Sequence, residues 1–229
     1  QEAKEALLKL ELRRTQLELA SKARDSFLTF VSTVWPGFVE GEHHRRIGEK
    51  FEKVLSGEIK RLIVNMPPRH TKSEFASFLF PAWLMGHKPQ TKIIQTTHTA
   101  ELSYRFGRKV RNLMDQKEYK EVFPEVKLQA DNKSAGRWET NKGGEYFAAG
   151  VGGAVTGRGA DLLIIDDPHS EQDAMSPNAL ESAWEWYTSG PRQRLQPGGA
   201  IVLVMTRWSS IDLTAKLLES QKEALADQW

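Results

Sequence analysis

Apolar residues recur at helical intervals in the first part of the chain and in short runs after it. Residues 2–34 are rich in helix-forming residues, with leucines spaced among charges, which predicts a long N-terminal helix. The sequence Trp35-Pro36-Gly37-Phe38 ends that helix. A second helix is predicted from Glu42 to Leu55 and is closed by Ser56-Gly57.

Beyond this point, short apolar runs alternate with helical patterns. The predicted strands and helices follow one another as 61–65, 72–84, 92–97, 100–116, 162–165, 177–187 and 201–205. A glycine-rich, partly aromatic region lies at 143–159. This order predicts an α/β fold with a mainly parallel sheet flanked by helices, in which ligands bind at the carboxyl ends of the strands.

The composition excludes several classes of protein. The 229 residues fit one sizeable domain with a helical addition, and the absence of cysteine excludes a disulfide scaffold and favours a reducing compartment. The longest mostly apolar run, 78–85, is too short to span a bilayer, so neither a signal peptide nor a membrane anchor is expected. A formal net charge of +2 does not indicate a nucleic-acid partner, so a DNA-binding surface would have to be local.

The strand at 61–65 runs directly into a segment that ends in Lys72-Ser73, where a helix begins. This context is typical of a phosphate-binding loop (Walker A), in which backbone N–H groups hold phosphates, lysine reaches the outer ones and serine binds Mg²⁺. The pattern is degenerate, because Met66 and Thr71 replace the usual glycines. The alternative is an ordinary turn with a solvated lysine. The predicted nucleotide contacts are Pro67, Pro68, Arg69, His70, Thr71, Lys72 and Ser73.

The apolar strand at 162–165 ends in Asp166-Asp167-Pro168. In a Walker B strand the first aspartate holds Mg²⁺, here together with Ser73, and the second acidic residue orients the attacking water. The distance from Lys72 leaves room for an extra strand, 92–97, between the two motifs. The alternative is a strand capped by a turn, since Asp-Asp-Pro favours turns. Motors of this class usually carry glutamate at the second position, and Asp167 is one methylene shorter.

Several motifs together resemble the large terminase subunits of tailed bacteriophages, from about residue 35 to about residue 218. They are the 66–73 loop, Gly136-Arg137-Trp138-Glu139-Thr140, the glycine-rich block 150–161, Ile165-Asp166-Asp167-Pro168 and Met205-Thr206-Arg207-Trp208. The resemblance implies a Mg²⁺-dependent ATPase that drives double-stranded DNA into a capsid. It also implies a homo-oligomeric ring on the portal protein, a small terminase subunit as partner, and the host cytoplasm as location.

The resemblance further divides the chain. It implies a helical segment at 1–34, an ATPase core at 35–208 and the start of a lid or linker at 209–229. Large terminases also carry a C-terminal nuclease, which would lie beyond Trp229, so this chain is not expected to cleave DNA.

Individual roles follow from the same resemblance. Arg69 corresponds to a loop arginine that acts in cis or senses the γ-phosphate. Arg158, between two glycines, corresponds to an arginine finger that reaches the next subunit. For both, the alternative is a solvated side chain. Thr206 and Arg207 correspond to a coupling motif in which Thr206 senses the γ-phosphate, or else Thr206 only caps a strand. The segment where terminases contact adenine contains Trp35, Phe38, His43 and His44.

Two further features remain open. Arg105, Arg108 and Lys109 share one face of a predicted helix and could follow a DNA backbone, or form an ordinary solvated face. An aromatic cluster at 184–187 is better explained by core packing than by base stacking. Two other functions stay as alternatives: a helicase-like ATPase, and a DNA- or capsid-binding module with a decayed nucleotide site.

Overall fold

A seven-stranded sheet forms the centre of the protein. The computed structural model describes residues 2–155, 157–223 and 226–229. The strands are β1 (Arg61–Asn65), β2 (Lys92–Thr97), β3 (Leu128–Lys133), β4 (Arg137–Thr140), β5 (Glu145–Gly150), β6 (Ala160–Asp166) and β7 (Leu195–Met205). The helices are α1 (Glu2–Asp25), α2 (Phe27–Val34), α3 (Glu42–Ser56), α4 (Phe80–His87), α5 (Ala100–Asp115), α6 (Lys117–Val122), α7 (Pro177–Ser189) and α8 (Leu213–Ser220).

The strand order in the sheet is β1-β7-β6-β2-β5-β4-β3. The first five of these strands are parallel, and β4 and β3 add an antiparallel edge. The predicted fold class is confirmed, and one strand lies in the sheet between the phosphate-loop strand and the acidic strand, but it is not the predicted strand 92–97. That intervening strand is β7, whereas β2 lies on the other side of β6. The glycine-rich region at 143–159 contributes β5 to the parallel part of the sheet.

The N-terminal helical region is two helices, not one. Ser26 ends α1 and caps α2, because its hydroxyl accepts a hydrogen bond from Thr29 N at 3.4 Å. Glu52 of α3 accepts another from Phe27 N at 2.9 Å. Most of α1 is exposed, while α2 is part of the core. No helix within the described ranges is both long and apolar enough to cross a membrane.

An aromatic cluster fixes α2 against the helix that follows the 66–73 loop. The ring of Phe27 makes edge contacts with Phe51, Phe75 and Trp83 at centroid distances of 5.4–5.5 Å. Such pairs contribute roughly 0.5–1.5 kcal/mol each beyond their burial. The predicted helix at 72–84 begins as a π-helical segment, Glu74–Leu79, and continues as α4. Widened π-helical turns are frequent at functional sites.

The second aromatic cluster packs on the opposite face of the sheet, as the core-packing interpretation predicts. Tyr187 is buried, and Trp184 and Trp186 are partly buried against the same apolar cluster. The indole N–H of Trp186 also donates a hydrogen bond to Gly153 O at 3.3 Å. These rings therefore stabilise α7 against the loop before β6.

Candidate active site

Three chain segments meet at the carboxyl edge of the parallel sheet. The 66–73 loop leaves β1, the pair Asp166-Asp167 ends β6, and Thr206 follows β7, which lies between them. Parallel pairing of β1 with β7 and of β7 with β6 brings these ends together. This is the edge at which ligands of α/β proteins bind.

Lys72 and Asp167 form an ion pair at this edge. The Nζ atom of Lys72 lies 2.9 Å from Oδ2 of Asp167, and the lysine side chain is almost fully buried. The other carboxylate oxygen of Asp167 accepts a hydrogen bond from the backbone N–H of Thr206 at 2.8 Å. The backbone of Asp167 has a φ of 41°, in the left-handed region. Asp167 is thus held through both oxygens, one by the loop and one by the strand beside it.

Asp166 is buried and accepts hydrogen bonds from two serines. The hydroxyl of Ser73 donates to Oδ1 at 2.9 Å, and that of Ser77 donates to Oδ2 at 2.6 Å. Burial raises the pKa of Asp166 to about 7, and nearby Asp167 adds to the rise, while both serines and Lys72 oppose it. The sequence analysis assigned Ser73 and Asp166 to one metal site, and the structure brings them into direct contact.

The loop adopts left-handed backbone at two positions, without glycine at either. The φ angles are 64° at Arg69 and 61° at Thr71. Thr71 stands where the usual motif has glycine, and for a β-branched residue this conformation is a genuine outlier. Left-handed backbone costs roughly 1–2 kcal/mol per residue, so surrounding contacts must offset it.

The predicted adenine-contacting residues lie beside this loop. The rings of Trp35 and Phe38 are 5.5 Å apart, and those of Phe38 and His44 are 4.9 Å apart. The ring of His43 is tilted by 45° against that of His44 at a centroid distance of 3.8 Å, and it lies 6.0 Å from the ring of His70 in the loop. His44 is buried and contacts Thr71 directly, with Nε2 2.7 Å from Oγ1.

Two surface cavities flank the loop. One of about 240 Å³ is lined by Arg69, Thr71, Lys72, Ser73 and Glu74. The other, of about 280 Å³, is lined by Asn65, Met66, Pro67, Pro68, Thr206 and Arg207. Both exposed faces of the loop are therefore open to a ligand. Arg69 is exposed beside Lys72, as a cis role requires.

Thr206 joins the loop to the acidic strand. Besides the bond from its N–H to Asp167, its hydroxyl donates to Met66 O at 3.2 Å. Arg207 is engaged elsewhere: its Nε lies 2.6 Å from Oδ2 of Asp212, the N-cap residue of α8. Of the two predicted coupling residues, Thr206 thus lies at the site and Arg207 anchors α8.

Arg158 lies at the other end of the sheet. It precedes β6, pairs with Glu145 at the first position of β5, and stacks over the ring of Phe147 at 4.0 Å. The length of β6 separates it from Asp166 by about 20 Å, at about 3.3 Å per residue. Arg158 therefore does not reach the phosphate site of its own chain.

The candidate DNA-binding residues on α5 differ in exposure. Arg105 and Arg108 are exposed. Lys109 instead lies 2.5 Å from Glu74, directly after the loop, and its Nζ is 4.5 Å from the ring centroid of Phe78. Two of the three side chains are therefore accessible to a nucleic-acid backbone, and the third ties α5 to the helix after the loop.

Three polar residues near the site were missed in the sequence analysis. Ser77 lies one helical turn after Ser73, and that spacing could have indicated it. The amide of Gln95 on β2 donates to Ser77 Oγ at 3.0 Å. His98, just beyond β2, has both its backbone N and its Nδ1 3.2 Å from Asp167 O. Only the sheet order places these β2 residues beside β6.

The oxygen atoms at the site fit Mg²⁺. Magnesium is usually bound by one or two protein oxygens together with substrate phosphates and waters. Ser73 Oγ and the Asp166 carboxylate supply such oxygens side by side. Within the described part of the chain, no group of three His, Cys, Asp or Glu residues could hold a metal by itself. A magnesium ion here would therefore depend on phosphate ligands from the substrate.

A scan against protein-family models and a search of curated proteins find no match to this sequence. A search of solved structures finds the crystal structure of the HK97 bacteriophage large terminase, with 14% sequence identity and a TM-score of 0.49. The match covers 76% of this chain and 36% of that chain, so this chain spans about a third of its length.

Proposed function

We propose that this chain is a Mg²⁺-dependent ATPase and the motor domain of a DNA-packaging machine of the large-terminase kind. The observation that carries the proposal is the convergence of Lys72, Ser73, Asp166 and Asp167 at the carboxyl edge of the sheet. Taken singly, the 66–73 loop could be an ordinary turn and Asp166-Asp167 could be a turn that caps a strand. Neither alternative explains why Lys72 is buried against the acidic end of β6.

The loop and Lys72 bind the triphosphate. Backbone N–H groups of the loop and the start of the following helix attract phosphate oxygens, and Lys72 neutralises the outer ones. Lys72 would exchange its bond to Asp167 for one to the nucleotide. Ser73 and Asp166 would hold Mg²⁺. Bound Mg²⁺ neutralises charge that develops on the phosphates.

Asp167 orients the nucleophile. A water that donates a hydrogen bond to its carboxylate attacks the γ-phosphorus, the bond to the bridging oxygen breaks, and ADP and phosphate are released. Thr206 and His98 hold Asp167 in position from two neighbouring strands. The shorter reach of Asp167 relative to glutamate is offset by the backbone bend at this residue, which places the carboxylate beside Lys72.

Loss of the γ-phosphate would be passed on through Thr206. Its N–H is bonded to Asp167 and its hydroxyl to Met66 O, so a shift of Asp167 moves both the end of β7 and the start of the loop. Arg207 follows directly and anchors α8 through Asp212. This sequence of contacts connects the phosphate site to α8 without a break.

Two arginines would supply further positive charge. Arg69 is on the loop and acts in cis. Arg158 would serve a neighbouring subunit, because it lies at the amino edge of its own sheet. Removing one charge-stabilising donor typically costs about 10²–10³ in turnover.

We further propose that this ATPase translocates double-stranded DNA. Its partners would be a portal protein and a small terminase subunit, and it would form a ring of identical subunits in the host cytoplasm. The support for this proposal is the resemblance of the five motifs, together with exposed Arg105 and Arg108 on α5. Contacts to phosphates alone would be insensitive to sequence and weakened by salt.

The deciding experiment is ATP turnover of the purified chain, with and without Mg²⁺ and double-stranded DNA, over a range of protein concentrations. The proposal expects Mg²⁺-dependent turnover that rises faster than linearly with concentration and is absent in Asp167→Ala. Nucleotide binding without turnover at any concentration, even with DNA, would favour the decayed binding module. Absence of nucleotide binding would contradict the phosphate-loop assignment.

A further inference from the structure

Thr71 is the most constrained residue of the loop. Its backbone is left-handed, with a φ of 61°, at the position where the usual motif has glycine. Glycine adopts this conformation without steric cost, whereas a β-branched residue resists it. A contact to the Thr71 side chain is therefore needed to keep the loop in shape, and the structure contains one.

That contact comes from His44, on the first turn of α3. The backbone N–H of Gly41 donates to His44 Nδ1 at 2.9 Å, so Nδ1 carries a lone pair and the ring proton is on Nε2. Nε2 lies 2.7 Å from Thr71 Oγ1 and donates to it. The Thr71 hydroxyl in turn donates to His70 O at 2.6 Å. Every donor in this series has one acceptor, which fixes the direction of each bond.

The His44 ring is held rigidly. It stacks on Phe75 at a centroid distance of 4.9 Å and an angle of 25°, and it also contacts Phe38. Burial lowers the pKa of His44, and the adjacent His43 lowers it further, while Glu40 acts in the opposite sense. The neutral ring that the hydrogen bonds require is thereby favoured at neutral pH. Both nitrogens are occupied within the chain.

We propose that His44 is a positioning residue that holds Thr71, and with it the phosphate-binding loop, in the left-handed conformation that glycine adopts unaided. The proposal rests on the proposed function of this loop. It assigns His44 to the phosphates instead of the adenine, because neither ring nitrogen is left to contact a base. Arg46, an exposed residue of the same helix that is ion-paired with Glu42, provides the control.

Substitutions at Thr71 separate strain from the hydrogen bond without disturbing the core. Thr71→Val keeps the β-branch and removes the hydroxyl, so the strained conformation loses its support. Thr71→Gly removes the strain and the hydroxyl together. Loss of one hydrogen bond corresponds to about tenfold in affinity. We expect Thr71→Val to weaken binding about tenfold, and Thr71→Gly, which keeps the backbone N–H and relieves the strain, to bind more tightly than Thr71→Val.

A double-mutant cycle combines these changes with His44→Phe, which retains ring stacking on Phe75 and removes both nitrogens. We expect it to weaken binding about tenfold in the original background and less than twofold in Thr71→Gly. Arg46→Ala is the control and should change affinity less than twofold. An equal loss from His44→Phe in both backgrounds would overturn the proposal, and so would full affinity in Thr71→Val.

The probes are ADP and inorganic tripolyphosphate, each with Mg²⁺, measured by calorimetry. A positioning role predicts the same fold-change for both probes, whereas loss confined to ADP would mean that His44 contacts the base. Urea unfolding of the same variants tests the bond without any ligand: His44→Phe should lower stability less in Thr71→Gly than in the original chain. If no variant or original chain binds either probe, the proposed function fails, and the unfolding cycle still decides the His44–Thr71 bond.

Discussion

The Nζ atom of Lys72 and the Oδ2 atom of Asp167 lie 2.9 Å apart, with 7% of the lysine side chain and 28% of the aspartate side chain exposed. The loop lysine and the acid that would orient water are therefore partners before any phosphate is bound. Removing one partner of a largely buried pair leaves the other charge uncompensated. Each residue thus compensates the charge of the other and holds it in position.

Lys72→Ala should abolish ATP hydrolysis, because the outer phosphates lose their positive partner. We expect turnover to fall by at least about 10²-fold, as for loss of other charge-stabilising groups. A steady-state phosphate-release assay checks this. Lys53→Ala, which removes an exposed lysine paired with Glu58, is the control and should keep full turnover. Substantial turnover in Lys72→Ala would rule out the phosphate-loop assignment.

Asp167→Asn should separate binding from chemistry. The amide oxygen can still accept the hydrogen bond from Thr206 N, but the negative charge that attracts Lys72 and orients water is lost. We expect nucleotide affinity to stay the same or tighten, and turnover to fall about 10²–10⁴-fold, the range for loss of a general base. Parallel binding and turnover measurements decide it; unchanged turnover would place the catalytic carboxylate elsewhere.

Ser73 and Ser77 both donate a hydrogen bond to Asp166, but we expect their substitutions to have different effects on metal binding and stability. Ser73→Ala should weaken Mg²⁺-dependent nucleotide binding, because it removes a proposed metal ligand. Ser77→Ala should lower the free energy of unfolding by about 1–3 kcal/mol, since a buried acceptor loses its donor, and keep the Mg²⁺ dependence of binding. Titrations with Mg²⁺ and urea unfolding of both variants measure this. Equal effects on Mg²⁺ dependence would contradict the assignment of Ser73.

Arg158→Ala and Glu145→Gln break the same ion pair from opposite sides. If Arg158 only stabilises the fold, both changes should reduce stability and leave turnover per folded subunit alone, although Glu145→Gln also weakens the pair with Arg137. We expect instead that only Arg158→Ala reduces turnover of the assembled protein, with nucleotide affinity of the monomer unchanged. Mixing Arg158→Ala with Lys72→Ala subunits should partly restore turnover. A large loss of monomer affinity in Arg158→Ala would indicate a cis role.

Asp227 gives a test at acid pH. Burial alone would raise its pKa, but hydrogen bonds from Arg61 and Arg192 outweigh burial, and the pKa lies below its ordinary value. A lowered pKa stabilises the fold above the unfolded-state pKa of about 3.9, and this stability is lost as pH falls through the folded value.

Asp227→Asn should therefore be less stable by about 1–3 kcal/mol at pH 7, and the difference should shrink as pH falls below about 4. Urea unfolding between pH 3 and 7 measures it. Glu18→Gln, which breaks an exposed pair with Arg14, is the control and should change stability by less than about 1 kcal/mol at any pH. A difference that does not depend on pH would exclude the ion pair as its cause.

Local sequence signals were sufficient for the parallel strands that lead to the site. β1 and β2 have the bounds that their apolar runs predict, although β2 is almost fully buried and β1, at the edge of the sheet, is only partly buried. The sequence did not reveal β3 and β4, which are short, polar and antiparallel. The break between α1 and α2 was not predicted, because Ser26, which caps α2, is surrounded in sequence by good helix formers.

The candidate site was predictable where function depends on neighbours in sequence, as in the 66–73 loop and Asp166-Asp167. It was not predictable where contacts join distant segments. The bonds from His44 to Thr71 and from Gln95 to Ser77 depend on how α3 and β2 pack beside the loop helix. No local pattern of residues encodes either distance.

Arg158 lies just before β6 and Asp166 ends it, so the arginine and the phosphate site are at opposite edges of the sheet. If Arg158 completes a neighbour's site, two copies in head-to-tail contact have one complete site, one incomplete site and one unused arginine. Such heterologous contacts extend until rotation closes them into a ring. Each subunit would then both receive an arginine and provide one. A Lys72→Ala copy would lose its own site and still complete its neighbour's, whereas an Arg158→Ala copy would keep its own site and leave its neighbour's incomplete.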